Sequence, residues 1–118
     1  MGSRRPDMGQ AIATTWAFSL SRFEHEAARL RALASAKRVR IRWRQHAVEE
    51  ATKDGIAKID VENMLRRCSV SWVEHSKGEE TWRAEGTDID GRKITAVAVP
   101  YEDMIVIKVI TCWAGGRR

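Results

Sequence analysis

TWRAEGTDIDGRKITAVAVPYEDMIVIKVITCW, residues 81–113, is the stretch whose pattern dictates a shape. Three β-rich runs, 81–87, 93–99 and 104–113, are parted by DIDGR at 88–92 and PYED at 100–103. Asp, Gly and Pro accept or impose backbone angles that a strand cannot use, so both separators read as turns. The stretch predicts a three-strand antiparallel meander. Its last run, interrupted only by Lys108, reads as buried on both faces and therefore central.

Just upstream, a strand is expected at about 70–74, joined to the meander through the polar turn HSKGEE at 75–80. Further back, KRVRIRWR at 37–44 alternates strictly: Arg38, Arg40, Arg42 and Arg44 on one side of a strand, Val39, Ile41 and Trp43 on the other. Between these strands, Ala47, Val48 and Ala51 form a short helical patch that Asp54-Gly55 stops. A second short helix, capped by Asp60, turns Val61, Met64, Leu65 and Cys68 inward. Before the arginine strand, Ile12, Trp16, Leu20, Phe23, Ala27, Leu30 and Ala34 recur at steps of four and three, as on one helix face over residues 10–36. The predicted class is α+β, a mostly antiparallel sheet of about five strands with helices packed on one face, in the order α-β-α-α-β-β-β-β. Residues 1–9 and 114–118 read as tails flanking a helix extension at 10–36 and a core at 37–113.

A chain of 118 residues makes one domain, and a hydrophobic share of 43% separates it from disordered chains. No apolar run approaches the roughly 20 residues of a membrane span, so neither an anchor nor a membrane partner is expected. Cys68 and Cys112 lack metal-ligand spacing and read as buried thiols of a reducing cytoplasm. Ten Lys/Arg face three acids over residues 1–46, whereas eleven face thirteen over 47–118. The basic character thus lies in the N-terminal part, and a basic surface recruits polyanions or an acidic partner protein.

Several short motifs, in a particular order, resemble a known family. They are His46-Ala47 directly after a strand, Gly55-Ile56, Asp60-Val61 at a helix, Trp82-Arg83-x-x-Gly86, Asp90-Gly91-Arg92, and a closing Val-Ile-Thr at 109–111. Over about residues 40–113 the chain resembles a small-domain family, largely of unknown function, allied to the RelE/ParE toxin superfamily and similar in layout to BrnT-type toxins. The resemblance implies a compact sheet packed by helices and, for the superfamily, a toxin paired with an antitoxin, often a ribonuclease and sometimes a gyrase inhibitor. One departure is Glu50, where such families often carry a basic residue. The helix at 10–36 is longer than the family core requires.

Metal-independent RNA cleavage needs a proton acceptor, a proton donor and fixed positive charge near the phosphate. His46, at the junction of the arginine strand and a helix, is the expected acid–base group, since imidazole titrates near neutral pH. A packing or capping role explains it equally. Arg83, on a polar strand face with Thr81, Glu85 and Thr87, is the second candidate for the catalytic site, with a salt bridge to Glu85 as the plainer alternative. Arg38, Arg40, Arg42 and Arg44 are expected to hold nucleic acid, because guanidinium forks match phosphate oxygens. A solvated edge that discourages aggregation explains the row as well. Trp82 is weighed as a base-stacking platform, Lys93 as a phosphate contact or a solvated turn residue, and Lys108 as a nucleic-acid contact that needs a partner or an opening to water. Thr111 is read as an RNA contact through its hydroxyl, with plain β-propensity as the alternative. No cofactor and no metal site are expected.

Three functions follow from this reading. The first is a toxin-like RNA-cleaving domain paired with an acidic or DNA-binding antitoxin. The second is a non-catalytic nucleic-acid- or protein-binding module of the same fold, and the third a homodimer built through the N-terminal helix. The first requires the arginine row and Arg83 to share one face of one sheet.

Overall fold

The computed structural model describes residues 22–115. Their elements, in chain order, are helix α1 (Glu24–Ala34), strand β1 (Arg40–Trp43), helices α2 (Gln45–Lys53) and α3 (Lys58–Leu65), and strands β2 (Ser69–Ser76), β3 (Glu79–Thr87), β4 (Lys93–Tyr101) and β5 (Val106–Ala114). A 3-10 turn at Glu102–Met104 links β4 to β5. The class is α+β and the element order is the expected one. All five strands form one sheet in the order β1-β5-β4-β3-β2. Strands β2 to β5 run as an antiparallel meander, while β1 lies parallel to β5. The sheet is therefore mixed, with β5 inside it.

Turn chemistry sets the meander. Lys77 and Gly78 both have positive φ, 52° and 82°, as a two-residue hairpin turn of the twist-matching kind requires. That compact turn lets β2 and β3 pair out to Ser76↔Glu79, so residues 75–76 and 79–80 are strand where a longer turn was expected. At the other end of β3, the Asp88 carboxylate accepts from the backbone N–H groups of Asp90 and Arg92 at 2.9 and 2.8 Å and from Arg92 Nε at 3.1 Å. The Arg92 guanidinium then donates to the carbonyls of Asp54 and Gly55 at 2.9 and 3.0 Å. Asp88 and Arg92 thus tie the β3–β4 turn to the end of α2. Pro100 and Tyr101 close β4 and do not form a free turn.

The arginine strand is shorter than its alternation suggests. Arg38 lies in a turn closed by Ala36 N–H to Leu33 O at 3.1 Å and Val39 N–H to Ala36 O at 3.2 Å, so it leaves the expected row. Ladder bonds begin with Arg40 N–H to Ile105 O and end with Arg44 N–H to Val109 O, both 3.0 Å. Arg44 is the extended residue that enters α2. Helix α3 starts from Ala57, whose N–H donates to the Asp60 carboxylate at 3.2 Å. Asp60 therefore serves from inside the first turn and not from the cap position.

All three helices cover the same side of the sheet. Leu30 of α1, Ala51 of α2 and Val61, Met64 and Leu65 of α3 share one buried cluster with Val70, Trp82, Ala84, Ile94, Ala96, Ala98, Ile107 and Cys112 of the strands. Ala27, Leu30 and Ala34 of the predicted stripe do face this core. The described helix starts only at Glu24, with a turn at residues 22–23 before it, so the single helix expected over 10–36 does not run through that point. Ile12, Trp16 and Leu20 lie outside the described residues, as does the rest of 10–21 and with it most of the proposed dimer surface. Small side chains on β3 and β4 let the helices approach closely. A Cβ on Gly86 would stand 2.6 Å from Met64 Cγ, well inside contact distance. Cys68 and Cys112 are buried thiols outside any disulfide, and burial pushes the Cys68 thiol up to about 11.

Two stability predictions follow from this packing. Gly86→Ala should cost about 1–3 kcal/mol by overpacking against Met64, read as a lowered Tm; an unchanged Tm contradicts the close approach. Burial by itself would raise the Asp88 pKa, but the hydrogen bonds from Arg92 and Asp90 hold it below its ordinary value. Such a group contributes stability above its unfolded-state pKa, about 3.9, and loses it as pH falls through the folded-state pKa. Asp88→Asn should therefore be less stable at pH 7 and lose less between pH 5 and pH 3 than the wild type, measured as urea midpoints.

Candidate nucleic-acid interface

Alternation assigns the polar residues to a face. Ile41 and Trp43 pack against the helix-side core, which turns Arg40 and Arg42 to the opposite side. Trp82 and Ala84 are core residues, so Arg83 between them also points away from the helices. In register, Arg42 stands beside Lys108, Lys108 beside Val99, Arg83 beside Val97, and Val97 beside Thr111. A slip in the β4–β5 register between Val97 and Ala98 keeps both Lys108 and Thr111 on this face. The arginine strand and Arg83 thus belong to one face of one sheet, the face that no described helix covers.

Charges on this face are distributed unevenly. Lys93 is matched by Glu85 at 3.3 Å, and Lys108 by Glu79 at 3.4 Å. Arg38, Arg40, Arg42 and Arg44 have no carboxylate partner among the described residues. Arg83 does not use Glu85; its guanidinium sits 5.7 Å from the centroid of the Trp113 ring, a cation–π arrangement. Residues two apart on a strand are about 6.6–6.8 Å apart, so Arg40, Arg42 and Arg44 line one rim of the face at that spacing. Mutual repulsion along such a row is relieved by water or by an anion.

Trp82 corrects the expectation made for it. It is 1% exposed, its Nε1 donates to Glu80 at 2.7 Å, and the Arg29 guanidinium covers its ring at 5.1 Å. Neither ring face is open to a base, because strand alternation puts Trp82 under the helices. Among the described residues the exposed tryptophan is Trp72, on the edge strand β2 and edge-on to Phe23 at 6.4 Å between centroids.

His46 is exposed in the first turn of α2. That helix packs on the covered side of the sheet, where the Cys112 thiol meets the Ala47 carbonyl at 3.8 Å. Arg83, by contrast, lies on the open face in β3, three strand spacings of about 4.8 Å each from β1. The described contacts bring His46 and Arg83 into no common cluster. Glu50, the departure from the family pattern, is buried in α2, with Lys53 Nζ 3.5 Å away.

Sequence reasoning missed Glu79 and Tyr101. The Tyr101 hydroxyl donates to Glu79 Oε2, the same oxygen that Lys108 Nζ reaches, and Lys108 Nζ lies 5.6 Å from the Tyr101 ring centroid. The Tyr101 bond, with a further contribution from Lys108 and against the opposing effect of burial, holds Glu79 below its ordinary pKa. Lys108 does need a partner, as read from the sequence, but the partner comes from a strand whose first residues were read as turn.

Among the described residues, no cluster of His, Cys, Asp or Glu is arranged to hold a metal ion. No helix among them is long and apolar enough to cross a membrane. No curated protein and no solved structure matches the chain. A family match runs over residues 43–113, from the last residue of β1 nearly to the end of β5. It takes in both short helices, the meander and the Asp88–Arg92 tie, and leaves out Arg38, Arg40 and Arg42. The chain therefore belongs to the family described as Domain of unknown function (DUF4258).

Proposed function

We propose that this chain is a toxin-like RNA-binding domain of a toxin–antitoxin type pair, working in the cytoplasm without a metal, with the open sheet face on the phosphate backbone. The observation that carries the binding reading is the set of three guanidiniums, Arg40, Arg42 and Arg44, none in a salt bridge with a described carboxylate, with Arg42 set beside Lys108, on a face bare of described helices. Guanidinium groups bind phosphate oxygens in pairs of parallel hydrogen bonds, so the row suits a polyanion better than it suits solvent alone. The choice of RNA and of an acidic or DNA-binding antitoxin partner rests on the resemblance of residues 40–113 to RelE/ParE-type toxins. An acidic partner would meet the same arginines and compete with RNA for them.

The non-catalytic reading of the same fold is favoured by one observation: His46 stands in the helical layer, whereas Arg83 stands on the open face across the sheet. The two residues then do not form one acid–base site, and His46 serves as an exposed first-turn residue of α2.

Charge reversal tests the binding surface. Arg40 and Arg42 are exposed, so Arg40→Glu/Arg42→Glu should fold normally by circular dichroism. It should weaken binding of an unstructured RNA oligonucleotide by roughly tenfold or more and flatten the slope of log K against log salt by about 1.4, two phosphate contacts at about 0.7 each. Wild-type affinity and salt slope in the double variant would reject the arginine strand as the binding surface.

A further inference from the structure

Beyond the arginines, the open face holds a cluster of three titratable groups from three neighbouring strands. Glu79 opens β3, Tyr101 closes β4, and Lys108 lies in β5. The Tyr101 hydroxyl and Lys108 Nζ converge on one carboxylate oxygen of Glu79. Lys108 is also the register partner of Arg42, and the charge of Arg44 acts on Glu79. A cleft of about 270 Å³ lies at the β2–β3 hairpin end; Glu79 and Tyr101 reach its wall, which Arg29 of α1, Glu80 and Trp82 continue toward the helix side, and Lys108 stands outside it. Glu79 and Lys108 retain 40% and 25% side-chain exposure, so both remain open to a substrate.

The geometry points to Glu79 and Lys108 as the proton-transfer groups of an RNA-cleaving centre, with Tyr101 as the residue that positions the carboxylate. This assignment rests on the RNA-binding reading above and moves the chemistry away from His46. A backbone phosphate arriving between Arg42 and Lys108 competes with Glu79 for the ammonium and frees the carboxylate. Glu79 then takes the proton of the neighbouring ribose 2′-hydroxyl, and the 2′-oxygen forms a bond to phosphorus. The bond from phosphorus to the 5′-oxygen breaks, and Lys108 gives a proton to the departing oxygen. One proton is taken and one is given, so the products are a 2′,3′-cyclic phosphate and a free 5′-hydroxyl, with no further reactant. The charges of Arg42 and Arg44 oppose the negative charge that builds on the phosphate oxygens. The two groups act on opposite sides of phosphorus, so the arriving phosphate must part their 3.4 Å contact before each reaches its own oxygen; groups so placed contribute about 10²–10⁴-fold each.

The test uses the purified full chain with an unstructured RNA oligonucleotide, and measures binding separately on the same sequence with 2′-deoxy sugars. The wild type should bind both, cleave only the RNA, and leave 2′,3′-cyclic phosphate and 5′-hydroxyl ends. Glu79→Gln should cut the cleavage rate by about 10² or more while its binding of the 2′-deoxy oligonucleotide stays within about threefold; His46→Ala should leave the rate unchanged. Tyr101→Phe removes the hydrogen bond that keeps Glu79 acidic, so the acid limb of the pH–rate profile should move to higher pH. Binding without cleavage by the wild type, a wild-type rate in Glu79→Gln, loss of cleavage in His46→Ala, or an unmoved acid limb in Tyr101→Phe each overturns the centre and leaves the binding surface standing. Failure of the wild type to bind either oligonucleotide overturns the binding reading and, with it, the centre.

Discussion

The parallel pairing of β1 with β5 holds the rest of the architecture in place, because it joins the described strand from the basic first part of the chain to a meander made from residues 69–114. Two of its ladder bonds, Arg40 N–H to Ile105 O and Arg44 N–H to Val109 O, mark its limits. A parallel neighbour has to be reached by a crossover, and here α2, α3 and strands β2 to β4 lie between the two strands in the chain. All of the described helices end up on one side, so among the described elements the opposite side carries strand residues. The same pairing sets Arg42 beside Lys108 and thereby assembles positive charge from two distant parts of the chain.

Electrostatics on the open face divides into satisfied and unsatisfied groups. Lys93 and Lys108 meet Glu85 and Glu79, and Arg83 lies over the Trp113 ring. The arginines of β1 and its exit are left without such partners among the described residues. Surface ion pairs contribute little to stability, so the Lys108–Glu79–Tyr101 contact is better understood through its position, beside a cleft and on the charged face, than as a brace for the fold. The brace is elsewhere. Asp88 and Arg92, which look like ordinary turn residues, fix the β3–β4 loop with three hydrogen bonds inside it and tie it to the α2–α3 connection with two more.

Much of this was legible from residue order. The alternation of β1, the separators of the meander and the apolar spacing of α3 were read correctly in kind, with errors of a few residues at the ends, whereas the helix expected over 10–36 is helical among the described residues only from Glu24 to Ala34. Arg38 shows why those ends slip: alternation continues through residue 38, but the ladder starts only where Ile105 offers a carbonyl to Arg40. Placing Arg83 on a polar face needed nothing beyond its buried neighbours Trp82 and Ala84. The same alternation, followed through, would also have buried Trp82.

The sequence by itself determined the class, the element order, the meander and the arginine-bearing face of β1, because periodicity and turn chemistry are properties of neighbouring residues. Only the tertiary structure decided that β5 lies between β1 and β4, that His46 and Arg83 are kept apart, and that Glu79, Tyr101 and Lys108 meet. Those outcomes depend on which strands pair and in what register. Backbone hydrogen bonds are the same for every residue, so the choice among pairings falls to the packing of side chains far apart in the chain.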